Sequence, residues 1–286
     1  MNHYVINVIK KMFNHNCYST TLTVRGDYLQ RNINFFRSKI PTKTKIIAII
    51  KANAYGYGDV NIAKKLIDNN IGYLAVANFE EGIRLRNQGI NLPIIILYPS
   101  ENNLNVIKEN YLEPTIYSEK MLNAIIKLAD KKIKIHIKID SGMNRYGIRE
   151  SEVPLIIKKI KQTKNIVIGS VFSHLSSNHK EYRDYSLSQL IYFNNIKSIF
   201  LNEFTYKIDT HILSSYGIIN FPNQLDSMVR IGFGLYNGLL NYKLNHIGEL
   251  ETQISQIKEI NKGNSVGYNR AFISTKKMKI AVIPLG

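Results

Sequence analysis

Residues Lys45–Gly58 read KIIAIIKANAYGYG. The opening KIIAII is apolar and largely β-branched, the composition of a strand buried on both faces. Lys51 follows at its carboxyl end, and Gly56 and Gly58 allow the chain to turn closely after it. Outward from this stretch the same alternation repeats. Val60–Asn69 has helical spacing, Tyr73–Ala77 is strand-like, and Glu80–Asn87 reads as a helix that Gly89 can close. Leu92–Leu97 is a buried strand, Ser118–Lys127 a helix, Lys134–Ile139 a strand and Val153–Lys161 a helix. Val167–Phe172 is again a strand and Ser186–Leu201 a long helix. Successive βα units call for a parallel sheet, and this many favour closure into a barrel. The expected fold is α/β, a (β/α)8 TIM-like barrel with catalytic groups gathered at the carboxyl ends of its strands. Lys51 stands at such an end.

The pattern changes after Gly238. Glu249–Ile257 alternates polar and apolar residues with period two, Lys262 and Gly263 can turn the chain, and Val266–Ile273 and Lys277–Val282 read as further strands. These form the start of a mostly antiparallel β domain. The expected organisation is an extension over residues 1–17, loosely ordered, a barrel over 18–240 and a β domain over 241–286.

Composition narrows the function classes. Hydrophobic residues make up 44% of the 286, enough for a real core, yet no apolar run approaches the length of a membrane helix. The short apolar run near Tyr4–Ile9 precedes Lys10 and Lys11 instead of following charges, so it does not read as a signal peptide. A single cysteine, Cys17, excludes an internal disulfide and fits a reducing cytoplasm, and no metal site is expected. The net charge of +17 is scattered among isoleucines and asparagines, so it reads as compositional bias and not as a nucleic-acid-binding face.

Six strings, in order, resemble the alanine racemase family. IIKANAYGYG at Ile49–Gly58 resembles that family's cofactor-lysine motif, departing only in Tyr57 where the family carries histidine. AVANFEEGIRLRNQGINLPIIILYP within Tyr73–Pro99 and HIKIDSGMNRYG at His136–Gly147 are similar to two more characteristic stretches. His174 in VFSHLSS, Ser215 in HILSS, Arg230 in VRIGFGLYNG and Tyr268 in NSVGYNRAF follow in the family's order.

The resemblance implies a cofactor, pyridoxal 5'-phosphate, bound covalently by Lys51, and a two-base reaction in which Lys51 serves the D-alanine face and Tyr268 the L-alanine face. A tyrosine ionises near pH 10 in water, so such a base needs neighbouring positive charge, about 10 being its unperturbed pKa. The family's tyrosine reaches across a head-to-tail homodimer. His174 and Arg230 are implied as the pair that orients this system, Arg230 at the cofactor's ring nitrogen and His174 linking it to Tyr268. Phosphate binding is implied for Tyr55, Ser215 and the amides of Gly232 and Phe233, with Ile231 where the family prefers proline. Arg145 matches the arginine that contacts substrate carboxylate, and Lys138 the lysine carbamylated in many members. Asp140 reads as support for a strand end, and His136, His179 and His211 as structural.

The activity so implied is interconversion of L- and D-alanine in the cytoplasm, supplying peptidoglycan, with no nucleic-acid or membrane partner. Two alternatives stand beside it: a barrel that binds pyridoxal phosphate without turnover, and an inactive remnant. The family continues past IPLG by about 100 residues, an ordinary size for the rest of a domain. The expectation is therefore that the chain as written binds cofactor weakly and racemises poorly. The β strands and Tyr268 argue against the binding-only reading.

Overall fold

A computed structural model describes residues 3–5, 19–177, 179–238, 242 and 244–285. Most of the expected extension, including Cys17, lies outside the described residues. The chain divides into two compact units, Asp27–His246 and Met1–Gly26 together with Ile247–Gly286.

The larger unit is the barrel. Eight parallel strands follow one another around it in the order β10-β3-β4-β5-β6-β7-β8-β9. They are β3 (Lys45–Ile49), β4 (Tyr73–Val76), β5 (Ile94–Ile96), β6 (Glu113–Ile116), β7 (Ile133–Lys138), β8 (Ile166–Phe172), β9 (Asp209–His211) and β10 (Met228–Ile231). At the closing seam Arg230 N donates to Leu213 O at 3.1 Å, just beyond the end of β9. Helices alternate with the strands: α1 (Gly26–Arg37), α3 (Asp59–Asp68), α4 (Phe79–Asn87), α5 (Leu104–Glu109), α6 (Glu119–Lys127), α7 (Val153–Lys161), α8 (Arg183–Glu203) and α9 (Ser215–Asn220). A single turn at Lys51–Tyr55, α2, follows β3, and a short α10 (Phe233–Tyr236) follows β10.

Local signals account for the helix ends. Asn78 Oδ1 accepts from Glu81 N at 3.1 Å to cap α4, and Ser118 Oγ accepts from Met121 N at 3.3 Å to cap α6. Gly89 follows α4 with φ +77°, the left-handed stop expected of it. The barrel interior has two chemically distinct halves. Ile47, Ile49, Ala75, Ile95 and Met228 form an apolar cluster on β10, β3, β4 and β5. The inward residues of β6 to β9 include Glu113, His136, Ser170 and His211, hydrogen-bonded to one another.

The smaller unit departs from the expected strands. Its strands are β1 (His3–Val5), β2 (Thr20–Arg25), β11 (Gly248–Thr252), β12 (Gln256–Ile260), β13 (Ser265–Val266), β14 (Phe272–Ile273) and β15 (Met278–Val282). The stretch Glu249–Ile257 is two strands, not one, because β11 pairs with β2 and β12 pairs with β15. Val266–Ile273 is also interrupted: β13 and β14 pair antiparallel around a turn in which Gly267, Asn269 and Arg270 have φ of 79°, 54° and 53°. Period-two alternation runs on through such a turn, so it could not be seen in the pattern. Thr20–Arg25, expected in the barrel domain, pairs with β1 and β11 and so groups with the carboxyl-terminal strands. Within the extension, His3–Val5 supplies β1.

Candidate active site

A cavity of about 290 Å³ opens at the carboxyl ends of the barrel strands. Its lining includes Lys51, Tyr55, Lys138, Arg145, His174, Ser215, Arg230, Gly232 and Phe233, which the structure therefore brings together from sequence separations of up to 182 residues (233 − 51). Tyr268 belongs to the other unit, on a turn spanning Tyr268–Arg270, and is 96% exposed.

Lys51 leaves β3 into an unusual backbone. Ala52, Asn53, Ala54 and Tyr55 all lie in the left-handed region, with φ between 52° and 56°. Each such residue costs roughly 1–2 kcal/mol, so the turn must be held by its surroundings. Ala54 N donates to Ile50 O at 2.9 Å, and Gly58 N to Asn53 O at 2.9 Å. Asn53 Oδ1 accepts from Asp59 N at 3.1 Å. The Glu81 carboxylate, on α4, receives Ala52 N at 2.6 Å and Ala77 N at 2.7 Å. Lys51 is thereby held half-buried at the cavity.

Arg230 is buried beneath the cavity, packed over the Phe172 ring with its guanidinium carbon 5.5 Å from the ring centre. Burial pushes it down to about 10, so it remains a cation at neutral pH. It donates to His174 Nδ1 at 2.9 Å and to the carbonyls of Ser173 and Ile212 at 2.6 and 2.8 Å. It also bonds His211 Nδ1. Burial, then the Arg230 charge and the other cations, push His174 down to about 3, so its ring is neutral and takes the arginine's proton donor at Nδ1. His211, read from sequence as structural, is in fact a direct partner of Arg230. Its ring also stacks on Phe172 at 4.8 Å. The signal was its place four residues before Ser215 in HILSS, on a strand too short to show a period.

Lys138 ends β7, buried, with its ammonium 5.4 Å from the centre of the Tyr98 ring and 5.9 Å from that of Tyr146. Burial first, and then the charges of Arg230 and Arg145, lower it to about 8. Tyr98 is a lining residue that sequence reasoning did not single out. Arg145 is exposed at the cavity, on the loop that Asp140 holds by accepting from Gly142 N and Asn144 N at 3.1 and 3.0 Å. His179 is exposed and lines a separate cavity with Arg183 and Phe221.

At the opposite side Ser215 Oγ accepts from the amides of Gly232 and Gly234 at 3.3 and 3.2 Å. A Cβ on Gly232 would stand 2.8 Å from Tyr55 Oη and 3.2 Å from Ile49 Cβ, so only glycine leaves that corner open. Burial, with Tyr98 nearby, pushes the Tyr55 hydroxyl up, so it is a neutral hydrogen-bonding group here.

Among the described residues four cations and no carboxylate line this cavity, a chemistry suited to an anionic ligand with a group reactive toward an amine. Among the described residues no helix is long and apolar enough to cross a membrane, and no group of His, Cys, Asp and Glu could hold a metal ion.

Residues 24–239 match the family model "Alanine racemase, N-terminal domain" and residues 247–286 match "Alanine racemase, C-terminal domain". An alanine racemase of Clostridium kluyveri is 35% identical over 91% of this chain and 69% of its own length. "Alanine racemase 1" of Oceanobacillus iheyensis is 33% identical over 91% of this chain and 72% of its own. Among solved structures, alanine racemase of Clostridium difficile 630 superposes with a TM-score of 0.86 at 30% identity, covering 94% of this chain and 73% of that one. The enzyme from Bacillus anthracis, solved with bound L-Ala-P, gives 0.85 at 29% identity over 95% and 73%. With both of its segments matched in order, and relatives aligned over most of their length, the chain belongs to the alanine racemase family.

Proposed function

We propose that this chain interconverts L- and D-alanine with pyridoxal 5'-phosphate, using Lys51 and Tyr268 as the two bases. The observation that carries the reading is the convergence of Lys51, Arg145, Lys138 and Arg230 on a cavity whose described lining includes no carboxylate. That donor set fits a ligand bearing a phosphate and a substrate bearing a carboxylate. The open corner at Gly232 leaves room for the phosphate beside Tyr55 and Ser215. The L-Ala-P bound by the Bacillus anthracis relative supports alanine as the substrate.

In this reading Lys51 Nζ holds the cofactor and then takes or returns a proton on one face of the amino acid. The Tyr268 hydroxyl does so on the other face. When bound, pyridoxal phosphate supplies an electron sink that acidifies the α-hydrogen of an attached amino acid. Tyr55 and Ser215 hydroxyls and the amides of Gly232 and Phe233 would hold the phosphate. Arg230 would stand at the cofactor's ring nitrogen and offer it a hydrogen-bond donor whose proton a guanidinium does not give up. His174 keeps Arg230 in place from one side. Arg145 offers a planar fork to the substrate carboxylate. Lys138, lowered toward 8, has enough free amine to take up CO2, and the resulting anion would anchor Arg145. The exposure of Tyr268 suits donation to the cavity of a second copy in a homodimer. Its product would be D-alanine for peptidoglycan.

The test is D-alanine formation from L-alanine in the presence of pyridoxal phosphate. Tyr268→Phe should lower the rate at least about 100-fold, the scale of a lost general base, and Lys51→Ala should abolish it. Borohydride should fix the cofactor on Lys51. Cofactor fixed on another lysine, with no D-alanine formed, would refute the assignment. Cofactor on Lys51 without turnover would leave binding as the activity.

A further inference from the structure

Behind Arg230 a row of inward-facing side chains crosses the barrel, away from the cavity. Arg230 Nη1 bonds His211 Nδ1, and His211 Nε2 lies 3.1 Å from Ser170 Oγ. Ser170 Oγ lies 2.7 Å from His136 Nδ1, and His136 Nε2 lies 2.8 Å from Glu113 Oε2. Lys134 Nζ closes the far end, 3.2 Å from Glu113 Oε1. The members occupy successive strands from β10 round to β6, and Glu113 is the first residue of β6. His211, Ser170 and His136 are at most 1% exposed.

The chemistry of the two ends dictates the direction of every bond between them. A guanidinium only donates, so His211 Nδ1 must be bare and its proton must sit on Nε2, donated to Ser170. A carboxylate only accepts, so His136 Nε2 must donate to Glu113. The hydroxyl proton of buried Ser170 then has one acceptor left, His136 Nδ1. If His136 carried protons on both nitrogens, Ser170 would receive two donors and its own proton would be buried without a partner, at a cost. Reversing the row would set an imidazole N–H against the Arg230 N–H. One arrangement alone satisfies all the atoms.

Arg230's hydrogen-bond partners among the described residues are two imidazoles and three carbonyls, none of them a carboxylate. A carboxylate in contact would neutralise the cation at the cavity. Burial pushes Glu113 up, but the hydrogen bond and any charge of His136, then the charge and hydrogen bond of Lys134, outweigh it and hold the carboxyl below its usual range; Lys134, 3.2 Å away, pairs with it as a carboxylate. Burial, then the Arg230 charge, push His211 well down, in keeping with a neutral ring.

We infer that Glu113, His136 and Ser170 are positioning residues for Arg230: they form a one-way hydrogen-bond relay that starts from the Glu113 carboxylate and locks His211 with Nδ1 bare toward the arginine. This rests on the function proposed above only in taking Arg230 to face the cofactor.

The test reads the tautomers directly. In the full chain labelled with 15N at histidine, long-range 1H–15N spectra at neutral pH should show His136 and His211 each protonated on Nε2 alone. His136→Gln and His211→Gln assign the signals. A proton on Nδ1 of either ring, or on both nitrogens of His136, overturns the relay. In turnover, Glu113→Ala should lower kcat about tenfold with KM for alanine within about twofold, whereas Glu113→Gln, which keeps an acceptor, should stay close to the parent. A Glu113→Ala chain with parental kcat and unshifted His211 signals also overturns it. Should that variant fail to fold, the parent spectrum still decides. That spectrum needs no activity, so an inactive parent refutes the proposed function and leaves the relay to be judged on its tautomers.

Discussion

Replacing Glu81 with alanine should loosen the backbone that presents Lys51, although Glu81 lines no part of the cavity. Four consecutive left-handed residues, Ala52–Tyr55, cost roughly 4–8 kcal/mol relative to a right-handed path. The Glu81 carboxylate offsets a large part by receiving Ala52 N and Ala77 N at 2.6 and 2.7 Å. A hydrogen bond to a charged group contributes about 1.5–3 kcal/mol. Glu81 is half-buried and Ala52 exposed, so water recovers some of the loss, and the lower end of the range applies to each bond. The expected destabilisation is about 3 kcal/mol. For a unit of this size, that corresponds to a fall in Tm of about 6–12 °C if the barrel unfolds as a whole. Glu81→Gln keeps one good acceptor oxygen and should lose about half as much. The assay is paired: Tm by calorimetry, and the Kd of pyridoxal phosphate from its absorbance, which should rise at least about tenfold as the turn relaxes. A Glu81→Ala chain with Tm within about 1 °C of the parent and an unchanged Kd would refute the view that this carboxylate holds the turn.

Other perturbations follow from the same geometry. Gly232→Ala places a methyl 2.8 Å from Tyr55 Oη, so Tyr55 must move and the Kd of pyridoxal phosphate should rise about tenfold with little change in Tm; an unchanged Kd would show the corner is not used. Lys138→Met should stabilise the cofactor-free chain at pH 7 by on the order of 3 kcal/mol, because the buried ammonium is lowered from 10.5 to about 8 and rings of Tyr98 and Tyr146 are ready to pack a thioether. The sign follows from linkage: between about 8 and 10.5 the unfolded chain binds the extra proton, so Lys138 penalises the fold fully below 8 and progressively less as pH rises. A lower Tm for that variant at pH 7 would contradict the account. Arg230→Met leaves His174 Nδ1, His211 Nδ1 and the carbonyls of Ser173 and Ile212 without their donor, and urea unfolding should report a loss of about 3–5 kcal/mol.

The barrel was legible because its signal is local. A strand buried on both faces must be apolar throughout, and KIIAII, LPIIIL and the helices between them carry that pattern within a few residues of chain. The lysine after KIIAII was legible too, since its neighbours form a distinctive string. What the pattern could not carry were elements too short to have a period, such as β9 with three residues, or too polar, such as β6, which opens with Glu113 and Pro114. The association of Thr20–Arg25 with Gly248–Thr252 joins residues far apart in sequence, and only the folded chain brings such partners together. The left-handed turn after Lys51 was hidden for a related reason: propensity steers alanine and tyrosine away from that backbone, and a glutamate from the next βα unit makes it tenable. His211 and Glu113 likewise acquire meaning only across strands. Periodicity records which face of an element avoids water, so sequence alone determined the layers and the place of Lys51 at the end of a strand; the partner of each buried polar atom is set by where other strands end, and that only the tertiary structure decided.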